Sequence, residues 1–330
     1  MGDDGAAALR RMAGLATPMA LRVAVTLGLP SRLSGVSVPV EELAAELKVS
    51  SVPLELLLNH LSTLGVVERL DDGFRLTPFG ANLRDPFTEV LLRLDSSAGR
   101  AELAFVELAH SVATGEAAYP RRYGQDFWAD LAADPSLRES FDRQMVLRFQ
   151  GQVPQILLSY DWSQFSSILD VGGGRGDLLS AILSVNPEMR GNLLDLSPTA
   201  EEALETFRAR GVADRAEVTA QSFFDPLPVG FDACLLVDII HDWDDFNAHR
   251  ILARCIEAAP VGGRILVVEG IGGRRAATDM DLSMLVIFGG RERTVAEFQA
   301  LGADHGLVLE SVVDLTDQRC LIEFRVDGQA

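Results

Sequence analysis

The pattern of hydrophobic and polar positions predicts a helical front segment that ends in a hairpin. Residues 38–49 and 50–67 are amphipathic with helical spacing, and residues 67–80 alternate apolar and polar side chains around an Asp-Gly pair. Helix, helix and β-wing in this order are typical of a winged-helix module, which usually binds DNA. Upstream, residues 18–29 are apolar nearly all round, so we expect this helix to bury both faces, one of them against another subunit.

Farther along the chain, short apolar runs alternate with helical stretches or turn-rich connections. The runs with the length of a strand are SSILDV, GNLLDL, FDACLLVDII and GGRILVVE. This alternation predicts βαβ units that build a parallel sheet. Residues 306–326 break the rhythm with two strands and no helix between them, so an antiparallel pair should close the sheet. We therefore predict an α/β chain with domains at 1–97 and 98–330, the second beginning with a helical connector over 98–163.

The charge balance argues against nucleic acid as a partner. Lys and Arg number 29 and Asp and Glu number 48, which gives a formal charge of −19. A phosphate-binding protein needs a clustered basic face. The helix that would enter the DNA groove, residues 54–67, carries Glu55 and neither Lys nor Arg. Packing or dimerisation is therefore a better interpretation of the winged-helix module than DNA binding.

Cysteine usage and hydropathy indicate a cytoplasmic protein without a membrane partner. Cys234, Cys255 and Cys320 have no spacing typical of a disulfide framework or a zinc site. The N-terminus begins with acidic residues and lacks the layout of a signal peptide. No apolar run approaches the roughly 20 residues of a membrane span.

The strongest chemical signal is a glycine-rich turn at residues 168–176, ILDVGGGRG. A buried strand leads into the glycines, and a helix should begin at about Asp177. Glycine lets a ligand approach the backbone and its N–H groups. The spacing is not the G-x-G-x-x-G of a nicotinamide site, and Asp170 before the glycines suits a cationic ligand better than a pyrophosphate. Asp195 ends the next predicted strand, where a carboxylate can accept both hydroxyls of a ribose.

LDVGGGRG resembles the glycine motif of class I S-adenosylmethionine-dependent methyltransferases, and the closing hairpin is similar to the antiparallel seventh strand of that fold. Further motifs are FFDPLP (223–228), HDWDD (241–245), GGRILVVEG (262–270) and MLVIFGGRERT (284–294). With the winged-helix front end, the chain from about residue 10 to residue 326 resembles the small-molecule O-methyltransferases of plant phenolics and bacterial aromatic polyketides.

The resemblance implies a Rossmann-like methyltransferase sheet with an antiparallel last strand, preceded by a winged-helix dimerisation domain. It implies a homodimer, S-adenosylmethionine as the cofactor, and a small aromatic acceptor from secondary metabolism or antibiotic biosynthesis. Two alternatives stay open. The same fold can use this cofactor for decarboxylation, hydroxylation or a pericyclic step, and an acidic DNA-associated regulator could sense a small molecule.

His241 follows a predicted strand, and α/β sheets place their sites at the carboxyl ends of strands. From the residues alone it could equally cap the helix that begins near Asp244. The resemblance implies that His241 is the general base and that Glu269 and Glu292 flank and orient it. A carboxylate that holds the imidazolium helps the ring take the proton of a phenol. Methyl transfer from a sulfonium to the incipient phenolate then needs no metal.

The HDWDD segment could also attract a hard cation, because it gathers carboxylates. However, Asp244 and Asp245 lie where a helix is expected to begin, and the helix dipole favours acids there. We therefore predict no metal site.

The resemblance also assigns cofactor and acceptor contacts. The cofactor residues are Asp170, Gly172, Gly174, Asp195, Leu196, Ser222 and Phe223, and the acceptor residues are Phe141, Met145 and Met284. Members of the family usually have Gly-Asp before the paired aromatics, whereas this chain has Gln221-Ser222. The Ser hydroxyl is shorter than the Asp carboxylate, so the adenine contact should be weaker or mediated by water. Phe127, Trp128 and Phe288 are assigned to the core.

Overall fold

The computed structural model describes residues 3–274 and 278–327. The chain divides into two compact units. Unit 1 comprises Met1–Arg100 and Ser136–Gln144, and unit 2 comprises Ala101–Pro135 and Met145–Ala330. The sequence-based division into 1–97 and 98–330 did not foresee the second segment of unit 1, and as a domain boundary it stays a prediction.

Unit 1 is a small helical module with a two-stranded wing. Its helices are α1 (Asp3–Met12), α2 (Ala16–Thr26), α3 (Leu29–Arg32), α4 (Val40–Leu47), α5 (Ser51–Thr63) and α6 (Pro86–Leu92), and its strands are β1 (Val67–Leu70) and β2 (Gly73–Leu76). The strands pair antiparallel, which confirms the predicted hairpin, and Leu70 lies opposite Gly73, so the two turn residues are Asp71 and Asp72. Leu43, Leu58 and Phe74 lie in the core of this unit.

The apolar segment 18–29 is less exposed in the single chain than the sequence suggests. Ala20, Ala24 and Val25 of α2 are buried, and most of the other apolar side chains of this helix are half-buried. The most exposed large apolar side chains of the region lie just before α2, namely Leu9, Met12 and Leu15, which are 68%, 82% and 68% exposed.

Unit 2 contains a seven-stranded sheet covered by helices. Helices α7 (Ser97–Leu103) and α11 (Pro135–Gln150) include residues of both units, and unit 2 adds α8 (Leu108–Thr114), α9 (Tyr119–Tyr123), α10 (Phe127–Ala133), α12 (Val153–Ser159), α13 (Asp177–Val185), α14 (Thr199–Arg210), α15 (Asp245–Ala258), α16 (Thr278–Phe288) and α17 (Val295–Ala303). The strands are β3 (Ser167–Val171), β4 (Arg190–Asp195), β5 (Ala216–Ala220), β6 (Ala233–Val237), β7 (Arg264–Glu269), β8 (Leu307–Asp314) and β9 (Cys320–Val326).

The strand order is β5-β4-β3-β6-β7-β9-β8. Strands β3 to β7 run parallel to one another, and β9 runs antiparallel between β7 and β8. This topology confirms the predicted Rossmann-like sheet with an antiparallel last strand. Side chains alternate between the two faces, as a period of two requires. Ile168 of β3 faces one core with α13 and α14, and Leu169 faces the other with α15 and α17.

The order of the strands reverses at β3, which pairs with β4 on one side and with β6 on the other. In an open α/β sheet the crevice at such a point, outside the carboxyl ends of the strands, is the usual ligand site. The glycine turn follows β3, and the segment with His241 follows β6. None of the described helices is long and apolar enough to span a membrane.

Candidate active site

The glycine turn after β3 has a backbone that favours glycine. Gly172, Gly174 and Gly176 have φ values of +75°, +59° and +79°, in the left-handed region that side chains disfavour. A Cβ on Gly172 would lie 2.4 Å from Cδ1 of Ile239, whereas one on Gly174 would meet nothing within 4 Å. The backbone at Gly174 therefore borders open space that a ligand can enter. Helix α13 begins at Asp177, as predicted.

Asp195 joins the end of β4 to the glycine turn. Its Oδ2 accepts a hydrogen bond of 2.8 Å from the N–H of Gly174, and its Oδ1 accepts one of 2.7 Å from the N–H of Leu196. Leu196 itself is exposed. Asp170 is buried within β3, and its burial, together with the negative charge of Asp195, raises the pKa of Asp170 to about 7. The turn thus carries two acids where a positively charged ligand would be stabilised.

Phe223 is the member of the aromatic pair that borders the glycine turn. Its Cε1 lies 3.7 Å from the position that a Cβ on Gly172 would take. The neighbouring Phe224 lies under the guanidinium of Arg250, 4.4 Å from the ring centre. The hydroxyl of Ser222 accepts a hydrogen bond of 3.2 Å from the N–H of Phe224. Phe223 therefore borders the turn at Gly172, and the contact of Phe223 and Ser222 with a cofactor stays a prediction.

His241 lies in a 3₁₀ turn, Ile240–Asp242, that follows β6. The side chain is buried, and its Nδ1 is 3.1 Å from Oε1 of Glu292. The other ring nitrogen, Nε2, is 3.5 Å from Oδ1 of Asp242, which is long for a hydrogen bond. Glu292 thus binds one side of the imidazole and leaves Nε2 as the nitrogen that can meet a reacting hydroxyl.

Glu269, the last residue of β7, acts on the backbone of this turn. Its Oε1 accepts hydrogen bonds from the N–H groups of Ile239, Ile240 and His241, at 3.1, 2.5 and 3.2 Å. Its Oε2 is buried and makes no hydrogen bond with the described residues. Of the two glutamates expected to orient the imidazole, only Glu292 contacts the ring in this structure. Glu269 instead fixes the turn from which the imidazole projects.

Arg293 is a site residue that the sequence analysis missed. It is 1% exposed, and its guanidinium donates hydrogen bonds of 2.9 Å to the carbonyl oxygens of Ile240 and Trp243. Because Arg293 directly follows Glu292, it ties the loop of Glu292 to the turn of His241. The feature of the sequence that could have identified it is the position of Arg293 directly after Glu292 in the RERT segment (291–294).

A second group of charges surrounds Asp238, between β6 and the turn. The buried Arg319 donates to Oδ1 of Asp238 at 3.0 Å and also bonds Gln152. A second guanidinium, that of Arg148, lies 3.6 Å from Oδ2 of Asp238. Burial favours the neutral acid, but Arg319 and Arg148 outweigh it and hold the pKa of Asp238 well below its usual range. Sequence reasoning singled out none of these residues.

The titration of the base depends on the acids around it. Burial alone would lower the pKa of His241, but Asp242, the hydrogen bond to Glu292 and the charge of Glu269 raise it to about 10. Burial raises the pKa of Asp242 to about 7 and that of Glu269 to about 8, although His241 opposes both shifts. Acidic neighbours thus stabilise the imidazolium form of His241.

Asp244 and Asp245, the last two acids of the HDWDD segment, lie where α15 begins. Oδ1 of Asp244 accepts the N–H of Asn247 at 2.8 Å and caps α15, and Asp245 forms an ion pair with Arg293 at 2.7 Å. In residues 3–274 and 278–327, the one group of at least three histidine, cysteine or acidic side chains with ligand atoms within 4.8 Å of one another is the base cluster: His241, Glu269 and Glu292.

The residues expected around the acceptor lie in different parts of the chain. Met284 is buried on α16, and its carbonyl accepts the N–H of Gly290 at 3.2 Å, in the loop that leads to Glu292. Met145 lies on α11 in unit 2, and Phe141 lies on the segment of that helix assigned to unit 1. Their contact with an acceptor stays a prediction. The aromatics assigned to the core pack on one another: Phe127, Trp128 and Phe288.

Comparison with known proteins gives consistent matches along the chain. The family described as the O-methyltransferase domain matches residues 105–308, and the O-methyltransferase dimerisation domain matches residues 9–84. A similar curated protein is 2,7-dihydroxy-5-methyl-1-naphthoate 7-O-methyltransferase of Streptomyces carzinostaticus, 44% identical over 92% of this chain and 93% of its own. Another is aclacinomycin 10-hydroxylase of Streptomyces purpurascens, 39% identical over 92% of this chain and 84% of its own.

A solved structure is also similar over nearly the whole chain. It is an O-methyltransferase from neocarzinostatin biosynthesis in complex with S-adenosylmethionine and 2-hydroxy-5-methyl naphthoic acid. The TM-score is 0.90 at 41% sequence identity, and the match covers 96% of this chain and 98% of the other.

Proposed function

Since the chain belongs to the family of O-methyltransferases that carry a dimerisation domain, we propose that it methylates a hydroxyl of a phenolic, polyketide-like secondary metabolite with S-adenosylmethionine as the methyl donor. The naphthoate enzyme and the solved complex with a hydroxynaphthoic acid support this class of acceptor. Within this chain, the observation that carries the proposal is the buried pair of His241 and Glu292. His241 follows β6, which pairs with β3, the strand that leads into the glycine turn.

The residues at the glycine turn fit S-adenosylmethionine. The open space at Gly174 admits a ligand to the backbone, and the carboxylate of Asp195 suits the ribose hydroxyls. The carboxylate of Asp195 favours the positive charge of this cofactor. The cation would in turn lower the pKa of Asp170, which burial and Asp195 raise to about 7. Phe223 offers a ring beside the turn for the adenine, with Ser222 as a polar neighbour. When bound, the cofactor supplies a methyl group on a sulfonium.

The base cluster can prepare the acceptor for attack. Nε2 of His241 accepts the proton of the acceptor hydroxyl, and the carboxylate of Glu292 at Nδ1 stabilises the imidazolium that forms. Glu269 and Arg293 hold the turn, so that the ring needs little reorganisation. The acceptor oxygen takes the methyl group as the carbon–sulfur bond breaks, and the opposite charges cancel in a buried site.

Substitution of the base and of the ribose-binding acid should affect two different quantities, turnover and cofactor affinity. His241→Ala should lower kcat by about 10²–10⁴, since general-base catalysis contributes that much, and should leave affinity for S-adenosylhomocysteine intact. Asp195→Ala should weaken that affinity, because a charge-assisted hydrogen bond is worth about 1.5–3 kcal/mol. Turnover assays and calorimetry measure the two effects. Methylation by His241→Ala at the wild-type rate would show that the acceptor ionises without this base.

A second candidate is chemistry other than methylation on the same fold, because one relative is named a hydroxylase. The His241–Glu292 pair favours methylation, since proton removal from a hydroxyl is the step that such a pair serves. Mass spectrometry of the product distinguishes a gained methyl group from a gained oxygen.

We also propose a homodimer formed through the dimerisation domain. Cytoplasmic location remains a prediction from the cysteine pattern. The DNA-associated regulator stays a weaker alternative, and a gel-shift assay with DNA tests it.

A further inference from the structure

Two histidines meet on the surface of unit 2, outside the base cluster. His249 lies on α15, and His305 follows the end of α17. Nδ1 of His249 is 2.9 Å from Nε2 of His305, although the residues are 56 positions apart. Both side chains are half-buried, so small ions in solvent can reach them. Methyl transfer as described above uses neither residue.

The surroundings of His249 favour one arrangement of its ring protons. Oδ2 of Asp304 lies 3.9 Å from Nε2 of His249, on the side of the ring away from His305. A carboxylate on that side favours a proton on Nε2 and leaves a lone pair on Nδ1. Without a metal, His305 then donates its Nε2–H to that lone pair, which accounts for the 2.9 Å between the two nitrogens. When the proton of His305 moves to Nδ1, both facing nitrogens have lone pairs and can bind one ion.

We propose that His249 and His305 form a site for a zinc-like transition-metal ion, with water as the remaining ligands. Imidazole nitrogens bind zinc at about 2.0–2.1 Å, and tetrahedral geometry places two such nitrogens about 3.3 Å apart. The observed 2.9 Å has to widen only slightly, which half-exposed side chains permit. Asp304 has the place of the carboxylate that commonly orients a metal-bound histidine. The formal charge of −19 also favours cations near this protein.

The place of the pair in the fold gives the ion a structural role. Helix α15 begins a few residues after His241, and α17 begins soon after Glu292. An ion shared by His249 and His305 therefore links α15, which follows His241, to the end of α17, which follows Glu292. We expect zinc to stabilise the folded chain without entering the reaction.

Calorimetric titration of the full chain with Zn²⁺ tests this site. The wild type should bind zinc, His249→Ala and His305→Ala should each abolish that binding event, and Asp304→Asn should weaken it by about tenfold, as loss of an orienting carboxylate does. His305→Gln serves if His305→Ala fails to fold. A thermal shift with Zn²⁺ should appear in the wild type and be lost in the same variants.

The control is His241→Ala, because the base cluster also gathers possible metal ligands. This variant should keep zinc affinity and the thermal shift, and His249→Ala should keep methyl-transfer activity. Equal zinc affinity in the wild type, His249→Ala and His305→Ala would overturn the site. So would a binding event that only His241→Ala removes. Either result leaves the proposed methyltransferase function untouched.

Discussion

At the scale of single residues, the acids around His241 set the pH at which it can act. Only the neutral imidazole accepts a proton, and Asp242, Glu292 and Glu269 stabilise the charged form against the effect of burial. The base is therefore mostly protonated at neutral pH before the acceptor binds. The same acids also stabilise the imidazolium that forms when His241 takes the proton of the acceptor. They therefore both keep much of the free enzyme protonated at neutral pH and lower the energy of the transition state for proton transfer.

We predict that kcat/KM for methyl transfer rises with pH above neutrality, as His241 loses its proton near its raised pKa of about 10. Glu292→Gln removes the negative charge at Nδ1 and should move the midpoint of this rise to lower pH. It should also lower the limiting rate at high pH, because the imidazolium loses its partner. Rate profiles of both proteins measure the shift. An unchanged midpoint in Glu292→Gln would contradict the role given to that carboxylate.

At the scale of elements, the turn that carries the base is fixed from two directions. Glu269 at the end of β7 binds its N–H groups, and Arg293 from the loop after α16 binds carbonyl oxygens of Ile240 and Trp243. A turn of three residues has few hydrogen bonds of its own. Its geometry therefore depends on these two neighbours, which makes both of them positioning residues.

We predict that Arg293→Lys lowers kcat by roughly tenfold to a hundredfold, because an ammonium cannot reproduce the two-pronged contact and small misplacement of a reacting group is costly. KM for the cofactor should change little. Arg291→Lys is the matched control, since Arg291 makes partly exposed ion pairs with Asp245 and Glu297, which contribute little. Equal losses in the two variants, or a loss in Arg293→Lys explained by a lower melting temperature alone, would refute the positioning role.

Sequence reasoning located the residues that follow buried strands and missed those that reach across the fold. Asp195 and His241 could be placed because a change from apolar to polar residues marks each strand end. Arg293 and Arg319 could not, since their partners lie 53 and 81 positions away. Glu269 was expected to flank the imidazole, and its carboxylate lies within 4.8 Å of a ring nitrogen. Its hydrogen bonds go to the backbone of the turn, however, and no local pattern records that choice of partner.

At the scale of the whole molecule, assembly should depend on unit 1. The dimerisation family matches residues 9–84, and Leu9, Met12 and Leu15 are among the large apolar side chains most exposed there. Several large apolar side chains exposed within one short segment favour an interface between subunits at this segment.

We predict that the protein sediments as a dimer at micromolar concentration and that replacing Leu9, Met12 and Leu15 together by Ser shifts it toward monomer. Val229→Ser, which changes an exposed apolar side chain of unit 2, should leave the dimer intact. Analytical ultracentrifugation compares the three proteins. A wild-type monomer at this concentration would contradict the homodimer.

The position of β9 also bears on how the protein is made. This strand comes after every other described strand in the chain, yet it lies between β7 and β8. While the chain is being synthesised, the edge of β7 therefore stays unpaired until residues 320–326 have left the ribosome, and an open edge can mispair with another nascent chain. Arg319, which precedes β9, reaches Asp238 beside the base only at that moment. Strand β9 thus completes both the sheet and the active site, so each new molecule should gain activity only after residues 320–326 have been synthesised.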